Sequence, residues 1–454
     1  MNFSTTRVMG VALTGLCLAA CVDDSRLDPV ASEEHAVLTQ GALDTAFAGT
    51  GYRFGTDSTA TKVGSLAYGG NGGVFFSSVD RSHPFGPWHA RLGRVISDGS
   101  RGTWNGGSDR TMDGPNGGAP GNSVFLPIEA ATVVANTSDH AGLLTKLSSS
   151  ATVTWQTTVK PTDCLDVQLS HLVSNQTSLA VVAGICWKGA NQTQPFLLVG
   201  RYNLTSGTLD PAWNSGQVVL RSLGTGSRNV VGLAGYVSSD KITVAVGGLD
   251  QVMRFTSSGD FDGFGAVSLP GVTDVAETKR GLVVALTSGG KLFGFAANGT
   301  FAPGWSSAGF DTRSYTGETT AAVFYDAQID RLFVGGSADP LGNGHPVGTL
   351  VSVRPDAVFD RTFASGNAKV TTVFDSSIGA ADTQLRTLTG YDSQVFAGFD
   401  LVYLGSPITG LARYKVPTRA AGQPCGTISG CASGLTCRAH CVTGGGLACY
   451  DVCE

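Results

Sequence analysis

Three observations predict an all-β fold built as a closed ring of repeated sheets. A short phrase, best preserved as "RYNLTSGTLDPAW" from Arg201, recurs along the chain. Its last copy is cut short, and the missing half stands near the N-terminus. Glycine accounts for 63 of the 454 residues while only 14% are charged, which suits short strands joined by tight turns.

The copies, aligned on their basic or equivalent strand residue, begin at Arg94, Lys146, Arg201, Arg254, Gly294, Ser352 and Arg413. Intervals of 52, 55, 53, 40, 58 and 61 residues leave room in each for roughly four strands of about 5–6 residues. Upstream of most copies an apolar segment ends in glycine, as in "ITVAVGG" from Ile242 and "RLFVGG" from Arg331, the pattern of strand and turn. Within the phrase, Arg201 and Tyr202 begin a strand whose successive side chains face opposite sides. Turn residues such as Ser258-Gly259 reverse the chain. Asp210 then suits a cap and Pro211 the first position of a helical turn, which aims Trp213 back onto the sheet. Asp44 and Phe47, and Asp360 and Phe363, keep that spacing, whereas Ala302 replaces the acid in "TFAPGW" and the copies at Arg94 and Lys146 lack the Leu-Asp pair.

The seventh copy, "LARYKVPT", runs into "RAAGQPC" without its second half, and "GALDTAF" at residues 41–47 stands without a strand copy before it. A ring explains both fragments, since the N-terminal piece completes the blade begun by the C-terminal one; an open solenoid would carry caps at both ends. The expectation is a seven-bladed β-propeller over residues 41–418. Residues 41–47 should pair beside the strand at 411–415, and Phe47 should occupy the niche that Trp213 and Phe363 fill in their own blades.

The repeats resemble the delta-60 β-propeller repeat, whose units read "LVAG" and then "ALARYNxDGxLDxxF"; "LVGRYNLTSGTLDPAW" and "VMRFTSSGDFDGF" carry the likeness. The resemblance implies a propeller in a secreted or surface protein of bacteria. It brings no catalytic signature.

Residues 1–20 read as a signal peptide: Arg7 precedes an apolar run from Val8 to Ala20, shorter than the about 20 residues that span a bilayer. The ending Leu18-Ala19-Ala20-Cys21 resembles a bacterial lipobox, which implies cleavage before Cys21 and lipidation of its thiol. Ordinary cleavage nearby, with Cys21 incidental, is the competing reading. Val22 follows in place of the Asp tied to inner-membrane retention, so the resemblance points to an outer-membrane lipoprotein of the bacterial cell envelope. Residues 21–40 would then be the lipidated Cys and a polar tether.

Six of the ten cysteines, Cys425, Cys431, Cys437, Cys441, Cys449 and Cys453, crowd into a tail over residues 419–454. Such a piece buries too little apolar surface to fold without cross-links, no CxxC pair suggests zinc, and an exported protein meets an oxidising compartment. A disulfide-rich module is expected, similar to small modules at the ends of bacterial surface proteins, with fifteen connectivities open. Cys164 and Cys186 lie symmetrically about Asn175, so a hairpin turning at "SNQTS" would bring them within disulfide reach. Two buried thiols are the alternative.

No catalytic constellation emerges. The seven histidines are scattered, and HExxH, GxSxG and GxxxxGK[ST] are missing, so no catalytic residue is assigned and no cofactor is expected. Asp109, Asp113 and Asn116 in "DRTMDGPNGG" are the candidate metal ligands, with calcium the fitting ion and a plain polar loop the competing reading. Phe85, Trp88 and Tyr403 are candidates for a binding face, against ordinary packing between blades. A net charge of −5 argues against a nucleic-acid partner. The expected function is a binding or scaffold module for a protein or glycan partner, held at the membrane through Cys21. The alternative is a periplasmic propeller enzyme of lactonase or quinoprotein-dehydrogenase type, which three or more carboxylates or histidines converging at the axial mouth would favour.

Overall fold

The computed structural model describes residues 46, 48 and 52–54, most of 60–416, and short strands of the tail between 418 and 453. Residues 1–45, and with them Cys21, Gly41 and Asp44, lie outside it, as do Phe47, Asp109, Asp113 and Asn116. Seven antiparallel sheets follow one another: blade 1 over residues 60–111, blade 2 over 123–159, blade 3 over 166–222, blade 4 over 229–268, blade 5 over 272–311, blade 6 over 319–372 and blade 7 over 380–415. The first strands of successive blades touch in order, and that of blade 7, Ala380–Tyr391, touches that of blade 1, Ala60–Tyr68. Seven blades around an axis make this an all-β, seven-bladed β-propeller.

Each blade is a sheet too thin to hold a core alone, so the core is divided among the seven interfaces. The period of two decides which residue goes where. On the second strand of blade 3, Leu179–Lys188, Ala180, Val182 and Cys186 pack toward blade 2 while Val181, Ala183 and Ile185 pack toward blade 4. This explains why these strands read as unbroken apolar runs: both faces are buried.

The recurring phrase begins on the third strand of each blade and continues through the following turn. In blade 3, Asn203 Oδ1 accepts from the N–H groups of Thr205 at 2.8 Å and Ser206 at 3.2 Å, and Gly207 closes the turn with a φ of +72°. Asp210 follows, its Oδ1 accepting from the Ala212 N–H at 3.0 Å and its Oδ2 2.6 Å from Arg201 Nε. Arg201 also lies over the ring of fully buried Trp213. Arg254, Asp262 and Phe264 repeat the arrangement in blade 4. The phrase is therefore a buried ion pair roofed by an aromatic ring.

It also joins neighbouring blades. Lys146 Nζ donates to the Leu204 carbonyl at 2.9 Å, Arg413 Nη1 to that of Ser97 at 2.6 Å, and Arg254 Nη2 to that of Ala297. Each acceptor is the third residue after the start of the next blade's phrase. Blade 5 has Gly294 in place of the basic residue. A Cβ there would stand 2.3 Å from the Trp305 ring, and Trp305 Nε1 donates to the equivalent carbonyl, that of Pro355, at 3.0 Å. The indole has taken over both the space and the donor of the missing arginine.

The edge of blade 7 is covered by Tyr52–Phe54, whose register sets Tyr52 opposite Ala412 and Phe54 opposite Gly410. That strand follows residues 41–47, whose expected pairing beside residues 411–415 lies outside the described residues. The Ala48 N–H donates to the Asp98 carbonyl at 2.7 Å, as the Asn214 N–H does to Ser258 at 2.7 Å in the next blade's turn.

Cys164 and Cys186 are joined in a disulfide with Cα atoms 5.5 Å apart. The hairpin is centred beyond Asn175, because Asn175 Oδ1 holds the N–H groups of Ser178 and Leu179 and Cys186 falls opposite Val167. Cys164 reaches it from the turn before the strand, where its N–H donates to the Pro161 carbonyl. In the tail, Cys437–Thr443 pairs with Leu447–Cys453 in a register that sets Cys437 opposite Cys453 and Cys441 opposite Cys449. Cys431 lies on a two-residue strand, and Cys425 lies outside the described residues.

Candidate functional site

Six of the seven first strands carry a one-residue bulge at the same level, at Gly64, Ser170, Val231, Thr273, Ala321 and Arg386. A bulge interrupts the ladder and leaves an N–H to satisfy. The Val63 N–H finds Asp400 Oδ1 at 2.8 Å, that of Leu169 finds Thr137 Oγ1 at 3.0 Å, and that of Leu385 finds Ser337 Oγ at 3.1 Å. These three acceptors all come from the second strand of the preceding blade. Blade 5 departs from the pattern. Its acceptor, Asp274, sits on the first strand itself, with Oδ2 taking the Val323 N–H of blade 6 and Oδ1 the Val275 N–H, both at 2.8 Å.

From the bulges toward the C-terminal ends of the first strands runs an axial cavity of about 540 Å³, within the range of about 300–1,000 Å³ that holds small ligands. His171, Asp274, Glu277, Tyr325, Asp326 and Arg386 supply its ionisable lining, beside Ser65, Ser170, Thr387 and Gln328. Burial pushes the Asp274 carboxyl up to about 7, although the two backbone N–H groups hold it down in part. The same cause depresses His171 to about 4, partly opposed by a hydrogen bond to the Val231 carbonyl. That bond leaves Nδ1 as the ring's spare acceptor, buried and without a partner. His171 and Asp274 flank one dipeptide of blade 4: the imidazole meets Val231, and a Cβ on Gly232 would stand 2.8 Å from Asp274 Oδ1.

The other ionisable groups are engaged. Arg386 Nε donates to Asp400 Oδ2 at 2.7 Å and its Nη2 to Gln384 Oε1 at 2.6 Å. Glu277 Oε2 accepts from Thr243 Oγ1 at 3.4 Å, Asp326 Oδ1 from the Gln328 N–H at 2.9 Å, and Tyr325 donates to Asp330 at 2.7 Å. Four carboxylates and histidines thus line the cavity, but among the described residues no three of His, Cys, Asp or Glu gather as metal ligands.

Sequence reasoning assigned none of these residues. The signal open to it was Asp274 itself, a carboxylate inside the strand "VTDVAE". The side chains of Phe85, Trp88 and Tyr403 lie outside the described set.

No protein-family model and no curated protein matches the sequence. Among solved structures, the chain is similar to the WD40 propeller domain of Doa1, with 10% identity, a TM-score of 0.44, and 80% of this chain and 97% of that one covered. The Dos1 propeller gives 9%, 0.44, 80% and 93%, and YCF48 bound to D1 peptide gives 10%, 0.43, 81% and 97%.

Proposed function

We propose that this propeller is a cell-envelope binding module, tethered through a lipid on Cys21 at the outer membrane and offering its axial cavity to a protein or glycan partner. In the same reading the N-terminal segment closes the ring, and the cysteines of the tail are cross-linked. The observation that carries the proposal is the cavity. Its polar groups largely serve the architecture: Asp274 links blades 5 and 6, and Arg386 is held by Asp400 and Gln384. Around them lie small and apolar side chains that leave an open, mixed surface suited to recognition.

A photo-crosslinking residue in place of Gln328, at the cavity, should trap a discrete envelope partner in cells, while one in place of exposed Val153 on the outer strand of blade 2 should not. Equal adducts from both sites would refute the axial assignment. For the tether, alkyne fatty acid should label the wild type and not Cys21→Ala; equal labelling would refute it. The enzyme reading draws on the four carboxylates and histidines of the wall. Stoichiometric metal or quinone in protein purified from its native envelope would favour it.

A further inference from the structure

We infer that the axial cavity receives a primary ammonium on an alkyl stem, a lysine side chain presented by the partner, with the Asp274 carboxylate as its acceptor. The inference rests on the binding reading above. Asp274 faces the cavity with two backbone N–H groups as its bonded partners, and no described cation pairs with it. Its own strand, Val272–Glu277, adds Glu277, and the first strand of blade 6, Thr319–Asp326, adds Tyr325 and Asp326. The other strands packed against it, Asn229–Ala234, Ile242–Gly247 and Val283–Thr287, carry no titratable side chain. The cavity is also lined by His171, whose depressed titration keeps it uncharged at neutral pH, and by Arg386, already matched by Asp400.

The wall is therefore acidic and rich in acceptors. The spare Nδ1 of His171 belongs to the same wall, buried and in want of a donor. A buried carboxyl without a countercharge takes up a proton instead, and Asp274 does so up to about pH 7. An ammonium would replace that proton, bringing the charge and three donors with no acceptor to leave unsatisfied. Val231, Ala276, Ala321, Ala322 and Leu388 line the remaining wall and suit an alkyl stem better than the hydroxyls of a sugar.

The test is calorimetric titration of the full-length protein with n-butylamine, Nα-acetyl-lysine methylamide, glucosamine and uncharged n-butanol between pH 5.5 and 7.5. Both alkylamines should bind, tightening about tenfold per pH unit below 7 as the Asp274 proton leaves, with n-butanol at least about tenfold weaker. Asp274→Asn should lose about tenfold or more of the amine affinity. Should that variant not fold, carboxyl ¹³C NMR of the wild type decides: saturating butylamine should lower the Asp274 midpoint by about one pH unit or more. An unmoved midpoint overturns the inference. Equal binding of butylamine and butanol overturns it while leaving the cavity as a binding site. Tighter binding of glucosamine than of the alkylamines makes the partner a glycan and overturns the lysine. If nothing binds, the inference and the axial reading fall together.

Discussion

Asp274 and His171 share a cavity wall, and burial displaces their titrations in opposite directions. Asp274 goes from 3.8 up to about 7, so the folded chain keeps a proton that the unfolded chain has lost, and stability falls as pH rises through that window. His171 goes from 6.5 down to about 4, so its contribution is full above pH 6.5 and is lost as pH falls toward 4. Each slope is at most about 1.4 kcal/mol per pH unit, and between pH 4 and 6.5 the two oppose each other. Asp274→Asn should unmask the histidine, with urea-unfolding stability climbing from pH 4.5 to 6.5 and then levelling. A profile parallel to the wild type would show that Asp274 does not titrate there. Gly294 makes a second prediction at this scale. Restoring a side chain at this position in the phrase forces it into the Trp305 ring, so Gly294→Ala should cost about 1–3 kcal/mol in the same assay.

Blade 6 shows how an element keeps a function when its residue changes. Ser352 occupies the position of the basic residue, yet Asp360 is still paired, because Arg331 reaches it from the adjacent strand at 2.7 Å. Both groups are buried, so Arg331→Met should strand the carboxylate and cost about 3–5 kcal/mol. Adding Asp360→Leu should recover most of that loss; no recovery on urea unfolding would show that packing, not the pair, sets the cost. In blade 3, opening the Cys164–Cys186 link by a double Ala substitution should cost about 2–4 kcal/mol by the same measurement. For the tail, the register predicts Cys437–Cys453 and Cys441–Cys449 bridges, leaving Cys425 for Cys431. Non-reducing peptide mapping that finds another pairing would show the hairpin register to be wrong.

At the scale of the molecule, stability depends on the seventh interface being as good as the other six. Arg413 crosses it to Ser97, Leu411 and Phe396 pack there against Leu66, Val74 and Phe76, and the Val63 N–H bonds Asp400. The outer edge of blade 7 is covered by three residues, Tyr52–Phe54. A chain beginning at Gly55 should expose that edge and aggregate, which light scattering on the purified protein would register. A monomeric Gly55 chain with unchanged melting would show that the inner ring suffices.

The order of apolar runs, glycine turns and phrase copies determined the blades, because strand periodicity and turn chemistry are local and can be read residue by residue. The count of seven was legible for that reason, and so was the buried role of Trp213. The orphaned start of the phrase pointed to a ring but not to the edge strand Tyr52–Phe54, because three residues are too few to carry a periodic signal. The axial wall was not legible. Ser65, His171, Asp274, Ala322 and Thr387 are distant in sequence and share one level only because each follows a bulge on a different blade. Bulges leave no signature in a single strand's composition, and the titration of Asp274 and His171 depends on burial that only the closed ring creates.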